Sequence, residues 1–116
     1  TEKEMLAKLS ALIERHCQRL SCSRAVLVGH NGQFDLSFIQ AALARQEMSM
    51  LLHRFLVFDT ATLSAAFLAE TVLARAVRRA GMPFDEKEAH GALYDATITA
   101  KLFSYLIHQA DEGRKK

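Results

Sequence analysis

Two short apolar runs with a helical pattern between them, Ala25-Val26-Leu27-Val28 and Phe55-Leu56-Val57-Phe58, constrain this chain more than any other feature. A run that does not alternate apolar with polar residues reads as a strand covered on both faces, the habit of parallel sheets. Turn formers bound each run, Gly29-His30-Asn31-Gly32 after the first and Asp59-Thr60 after the second. From Phe34 to about Arg45 the spacing is helical, with Phe34, Phe38, Ile39, Ala42 and Leu43 forming one stripe. Strand, helix, strand in that order implies parallel pairing through a right-handed crossover.

The remaining segments are helical. Met5, Leu6, Leu9, Leu12, Ile13, His16 and Leu20 place an amphipathic helix over residues 3 to 20. An alanine-rich helix follows Asp59-Thr60, either of which can cap it. Thr71 is expected to cap a further helix through Ala80, which Gly81 stops and Pro83 keeps from resuming. A last helix runs from Gly91 or Ala92 to Gln109, leaving Arg114-Lys115-Lys116 as a frayed tail. The expected class is therefore α/β, with two parallel strands and about five helices. Two strands leave two sheet edges unpaired, so further strands are expected from a part of the protein absent here or from another copy.

Composition narrows the function. The 116 residues suit one small domain, and 50% hydrophobic with 24% charged residues is too apolar for a disordered chain. Fifteen Lys and Arg against thirteen Asp and Glu give +2, far from the charge density of proteins that hold nucleic acid by counterion release alone. No run approaches the roughly eighteen apolar residues of a membrane span, and the opening Thr1-Glu2-Lys3-Glu4 has no signal core. A soluble, cytoplasmic protein without a membrane partner is expected. Cys17 and Cys22 lack the paired spacing of a zinc site and read as reduced and structural.

In open α/β sheets, ligands gather beyond the carboxyl ends of the strands. Asp35, Asp59 and Asp95 fall at or near such places, and His90 lies five residues before Asp95. Taken singly, each acid is explained by helix capping or the helix dipole, and Asp59 keeps that explanation. Joined together, Gly29-His30-Asn31-Gly32-Gln33-Phe34-Asp35 and His90-Gly91-Ala92-Leu93-Tyr94-Asp95 resemble the second and third motifs of the histidine-bearing DEDD-type 3′–5′ exonucleases. Phe58-Asp59-Thr60-Ala61, Thr71-Val72-Leu73, Ala80-Gly81-Met82, Phe84-Asp85 and Ala89-His90 bring the likeness closest to the ribonuclease T family, over about residues 20 to 107.

The resemblance implies a ribonuclease H-like exonuclease fold, present in part, with residues 1–116 as one partial domain carrying the second and third motifs. It implies Asp35 and Asp95 as metal-binding acids and His90 as general base. In-line attack of water on a phosphodiester needs charge neutralised on the attacking and leaving oxygens, which two divalent cations about 4 Å apart supply. Magnesium prefers the hard oxygens of carboxylates, with manganese as a substitute, and an imidazole accepts a proton near neutral pH. The first motif of the family, an Asp-x-Glu on an opening strand, is missing; Asp85-Glu86-Lys87-Glu88 lies in a loop. The isolated chain is therefore expected to be inactive, and Thr1 to be an internal residue of a protein about twice as long.

The same resemblance gives Phe34 and Phe55 as rings that stack on terminal bases, and core packing is the competing account of both. The expected substrate is a single-stranded 3′ end of RNA such as transfer RNA, or of DNA, handled by a homodimer. Met48-Ser49-Met50-Leu51-Leu52-His53 is apolar where the family has a basic, proline-bearing loop, which leaves Arg45, Arg54, Arg75, Arg78 and Arg79 as phosphate candidates. The rival readings are a non-catalytic nucleic-acid-binding or assembly module of the same fold, and a DNA proofreading exonuclease.

Overall fold

The computed structural model describes all residues from Thr1 to Lys116. The elements run α1 (Glu2–Leu20), β1 (Ala25–Gly29), α2 (Gly32–Arg45), β2 (Leu52–Asp59), α3 (Thr60–Leu68), α4 (Leu73–Arg79) and α5 (Ala92–Arg114). This is an α/β chain with five helices, and β1 and β2 form a two-stranded parallel sheet. The expected order is reproduced element for element. Two compact units contain the chain, Thr1–Leu27 with Gly32–Phe58, and Val28–Asn31 with Asp59–Lys116. No single helix is long and apolar enough to cross a membrane.

In the first unit, Thr1 opens α1 through a capping box: its hydroxyl accepts from the Glu4 amide and the Glu4 side chain reaches back. Leu6 and Cys17 are buried on one face of α1, and the helix ends at Ser21 in the left-handed region. Cys22, by contrast, is exposed and free. Gly32 begins α2 where a Cβ would lie 2.6 Å from Val57 Cγ1, so the close approach of helix to strand requires glycine there. The buried face of α2 is Gly32, Leu36 and Ala42. Phe34 and Phe38, of the apolar stripe, are exposed and meet each other edge-on at 4.8 Å. At 3.6 residues per turn Phe34 stands roughly 200° around the helix from Leu36, so both cannot face the core.

The second strand begins three residues earlier than its apolar run suggests. Gln33 Nε2 donates to the Phe55 carbonyl at 3.1 Å, and Gln40 Nε2 to that of Arg54. His53 Nδ1 accepts from the amides of Phe55 at 3.3 Å and Leu56 at 3.0 Å. Side chains thus satisfy backbone groups of β2 that no further strand of this chain pairs. Residues 25 to 28 of β1 are only half-buried, short of the double cover expected for a central strand.

In the second unit, α3, α4 and α5 pack around Ala76, Val77, Ile98, Leu102 and Leu106. The last three repeat every four residues along α5, and full burial of a leucine contributes about 1.5–3 kcal/mol. Asp59 caps α3 as expected. Thr71 does not cap α4: that helix starts at Leu73, with Val72 as a cap that offers no side-chain bond. Gly81 takes φ +82 after α4, the conformation that favours glycine in a helix stop. The last helix continues to Arg114, beyond the expected Gln109, and ion pairs of Arg114 with Asp111 and Lys115 with Glu112 fasten its final turn.

Candidate active site

The site builds from the loop between α4 and α5. Phe84 packs edge-on against Tyr94 with ring centroids 5.7 Å apart, and the Arg78 guanidinium sits 5.4 Å from the Phe84 centroid. Arg78 also pairs with Glu86 at 2.6 Å. The Asp85 amide donates to the Tyr94 hydroxyl at 2.7 Å, so the first turn of α5 holds the loop that leads to His90. At its far end the Gly91 amide donates to the Glu88 carbonyl at 3.1 Å, and a Cβ on Gly91 would press on that oxygen at the same distance.

His90 takes φ +73, a left-handed conformation uncommon outside glycine. Asp95, half-buried in the first turn of α5, stabilises it by accepting the His90 amide at 3.2 Å. The structure therefore brings His90 and Asp95 together, and the imidazole of His90 is exposed. Both border a cleft of about 400 Å³, whose other lining residues are Val72, Leu73, Ala74, Phe84, Glu86 and Ala89.

Asp35 lies in the first unit, exposed in the first turn of α2. Phe34 and Phe55 belong to the same unit and are 67% and 73% exposed, which removes core packing as their explanation within this chain. Phe55 is met edge-on by His53 at 4.5 Å, leaving most of its surface to solvent.

A second set of contacts surrounds the end of β1, and sequence reasoning gave its residues no part in the site. Asp59 Oδ1 accepts both the Ala61 amide and the Asn31 amide, each at 2.9 Å. Asn31 itself is left-handed at φ 61, a conformation asparagine tolerates. His30 Nδ1 lies 2.8 Å from Thr60 Oγ1 and its Nε2 lies 2.5 Å from the Thr71 carbonyl. The signal available was a His-Asn pair directly after an apolar run, but a lone loop histidine does not announce its partners.

The exonuclease family model, RNase T, matches residues 3–103, almost the whole chain and both segments that carry Asp35, His90 and Asp95. The chain belongs to this exonuclease family. Among proteins named ribonuclease T, that of Vibrio vulnificus (strain YJ016) is 47% identical over 110 residues, covering 94% of this chain and 51% of its own length. That of Hahella chejuensis (strain KCTC 2396) is 46% identical over 112 residues, covering 96% and 51%. That of Shewanella denitrificans is 40% identical over 110 residues, covering 94% and 49%. The chain thus spans about half the length of the curated relatives it matches. RNase T exonucleases belong to a family that generally uses divalent metals. Asp35 and Asp95 are of the right donor type for a hard cation, but no group of three or more His, Cys, Asp or Glu side chains in this chain is arranged to hold one. The residues present do not make a metal site by themselves.

Proposed function

We propose that the protein carrying this sequence is a 3′–5′ exoribonuclease that removes nucleotides from the 3′ ends of structured RNAs such as transfer RNA. The observation that carries this reading is the family match over residues 3–103, on which Asp35, His90 and Asp95 all fall. Asp35 and Asp95 would supply two of the carboxylates for divalent cations, magnesium with manganese as substitute, and such ions would provide charge neutralisation for phosphodiester hydrolysis. The other carboxylates come from the Asp-x-Glu motif, which neither strand here contains, so the 116 residues alone are inactive.

His90 is the general base. Its exposure at the rim of the cleft supports that role, since the imidazole must reach the attacking water and then release the proton to solvent. Phe34 and Phe55 stack on the terminal bases of the single strand, and their exposure supports this assignment. The protein acts as a homodimer, for which exposed Leu51 beside Met50 offers an apolar contact.

The test is hydrolysis of a 3′-labelled single strand, RNA and DNA in parallel arms, with magnesium. The full-length protein should shorten RNA one nucleotide at a time and the 116-residue chain should not. His90→Ala should lower kcat about 10²–10⁴-fold, the usual weight of a positioned base, and Asp95→Ala should abolish turnover. Full activity in Asp95→Ala would remove the metal-site assignment, and activity of the 116 residues equal to that of the full protein would refute the account of the missing acids.

A further inference from the structure

His30 is half-buried where β1 ends, and both of its ring nitrogens are engaged within the second unit. A carbonyl oxygen only accepts, so Nε2 carries hydrogen and donates to Thr71 at 2.5 Å. Nδ1 pairs with the Thr60 hydroxyl at 2.8 Å, which can donate to it or accept from it. Thr60 is fully buried, and the imidazole is the partner that keeps its hydroxyl satisfied. With both nitrogens occupied, this ring has neither a free lone pair nor a free proton for chemistry. Its contacts instead lead to the cleft. Thr71 immediately precedes Val72, Leu73 and Ala74, which line one wall of the cleft that His90 and Asp95 border. The α4 terminus that begins there has no side-chain cap of its own.

We infer that His30 is a positioning residue for the substrate: by holding the Thr71 carbonyl against α3 it fixes the Val72–Ala74 wall against which the terminal nucleotide of the strand rests. This rests on the exoribonuclease reading above. Loss of the two bonds lets the wall drift while the acids and His90 stay in place, so the cost falls on substrate binding and not on the chemical step.

The experiment uses the full-length protein. His30→Phe keeps a ring and removes both bonds, His30→Gln restores an acceptor and a donor on one planar group, and Thr60→Val removes only the hydroxyl. Steady-state kinetics on a 3′-labelled RNA single strand with magnesium are read beside hydrogen exchange of the segment around Val72–Ala74. His30→Phe should raise KM about tenfold, as expected for the loss of a net hydrogen bond or two. Its kcat should stay within about twofold, with faster exchange confined to that segment. His30→Gln should recover most of the wild-type KM, and Thr60→Val should shift KM in the same direction by less. An unchanged KM despite faster exchange, an unchanged exchange pattern, or a fall in kcat at constant KM each overturns the inference, and Thr60→Val with His30→Gln decides it if His30→Phe does not fold. A wild-type protein that hydrolyses no strand overturns the exoribonuclease reading itself; an active wild type with His30→Phe at the wild-type KM overturns only the positioning role.

Discussion

Asp59 shows how much one side chain can do at the junction of two turns. A single oxygen, Oδ1, accepts an amide from the start of its own helix and another from Asn31. Asp59→Ala therefore removes a helix cap and a bond between loops together, and should cost about 1–2 kcal/mol of stability in denaturant titration, the upper range for a cap alone. Asp59→Asn keeps the accepting oxygen and should recover most of it. The same residue marks how far the site was legible. The capping of α3 followed from Asp-Thr before an alanine-rich segment, because a cap is a local event whose partners are adjacent in sequence. The bond to Asn31 spans 28 positions and has no local signature. His30 is the sharper case: its partners lie 30 and 41 residues away. The bond between the His90 amide and Asp95 spans only five residues, while His90 and Asp95 were singled out by the resemblance of their segment to a family motif; that Phe34 and Phe55 lie outside the core of this chain had no signature in their spacing.

At the scale of elements, α1 and α2 are joined end to end by charge. Arg45, in the last turn of α2, holds Glu2 at the start of α1 with its guanidinium at 2.5 Å, and Gln46 Nε2 adds a bond at 2.8 Å. The Arg45 hydrogen bond, with that of Gln46, draws the Glu2 carboxyl down from 4.5 to about 2. The folded form thus prefers the ionised acid, so the stabilisation is complete above about pH 4.5 and fades as pH falls toward about 2. Thermal midpoints of wild type and Glu2→Gln should differ at pH 6 and converge by pH 2; a gap that stays constant would show that charge is not its source. All seven elements were legible, since hydrophobic spacing and punctuation by Gly, Pro, Asp and Thr are local properties. What spacing left open was which face turns inward. Phe34 and Phe38 have the same helical period as the buried residues of α2, and only the approach of Gly32 to Val57 decides that Leu36 points in and the aromatics out.

For the molecule as a whole, the division into units does not follow the chain. The polypeptide passes between them after Leu27, after Asn31 and after Phe58, so the second unit includes a four-residue excursion, Val28–Asn31, set apart from the rest of its sequence. Those four residues supply the partners of Asp59, Thr60 and Thr71. A piece comprising residues 59–116 would retain every residue of the helical core at Ala76, Val77, Ile98, Leu102 and Leu106 yet lose all three bonds. Its α3 amides should exchange measurably faster than in the intact chain, while the centre of α5 should be less affected. The wider consequence concerns how such a protein can be cut and rejoined: no single break liberates the helical unit by itself, because four of its residues, Val28–Asn31, come earlier in the chain than the rest. A split reporter or a hybrid with a relative would have to carry its junction outside residues 28–59, or bring the tetrapeptide along as a transplant.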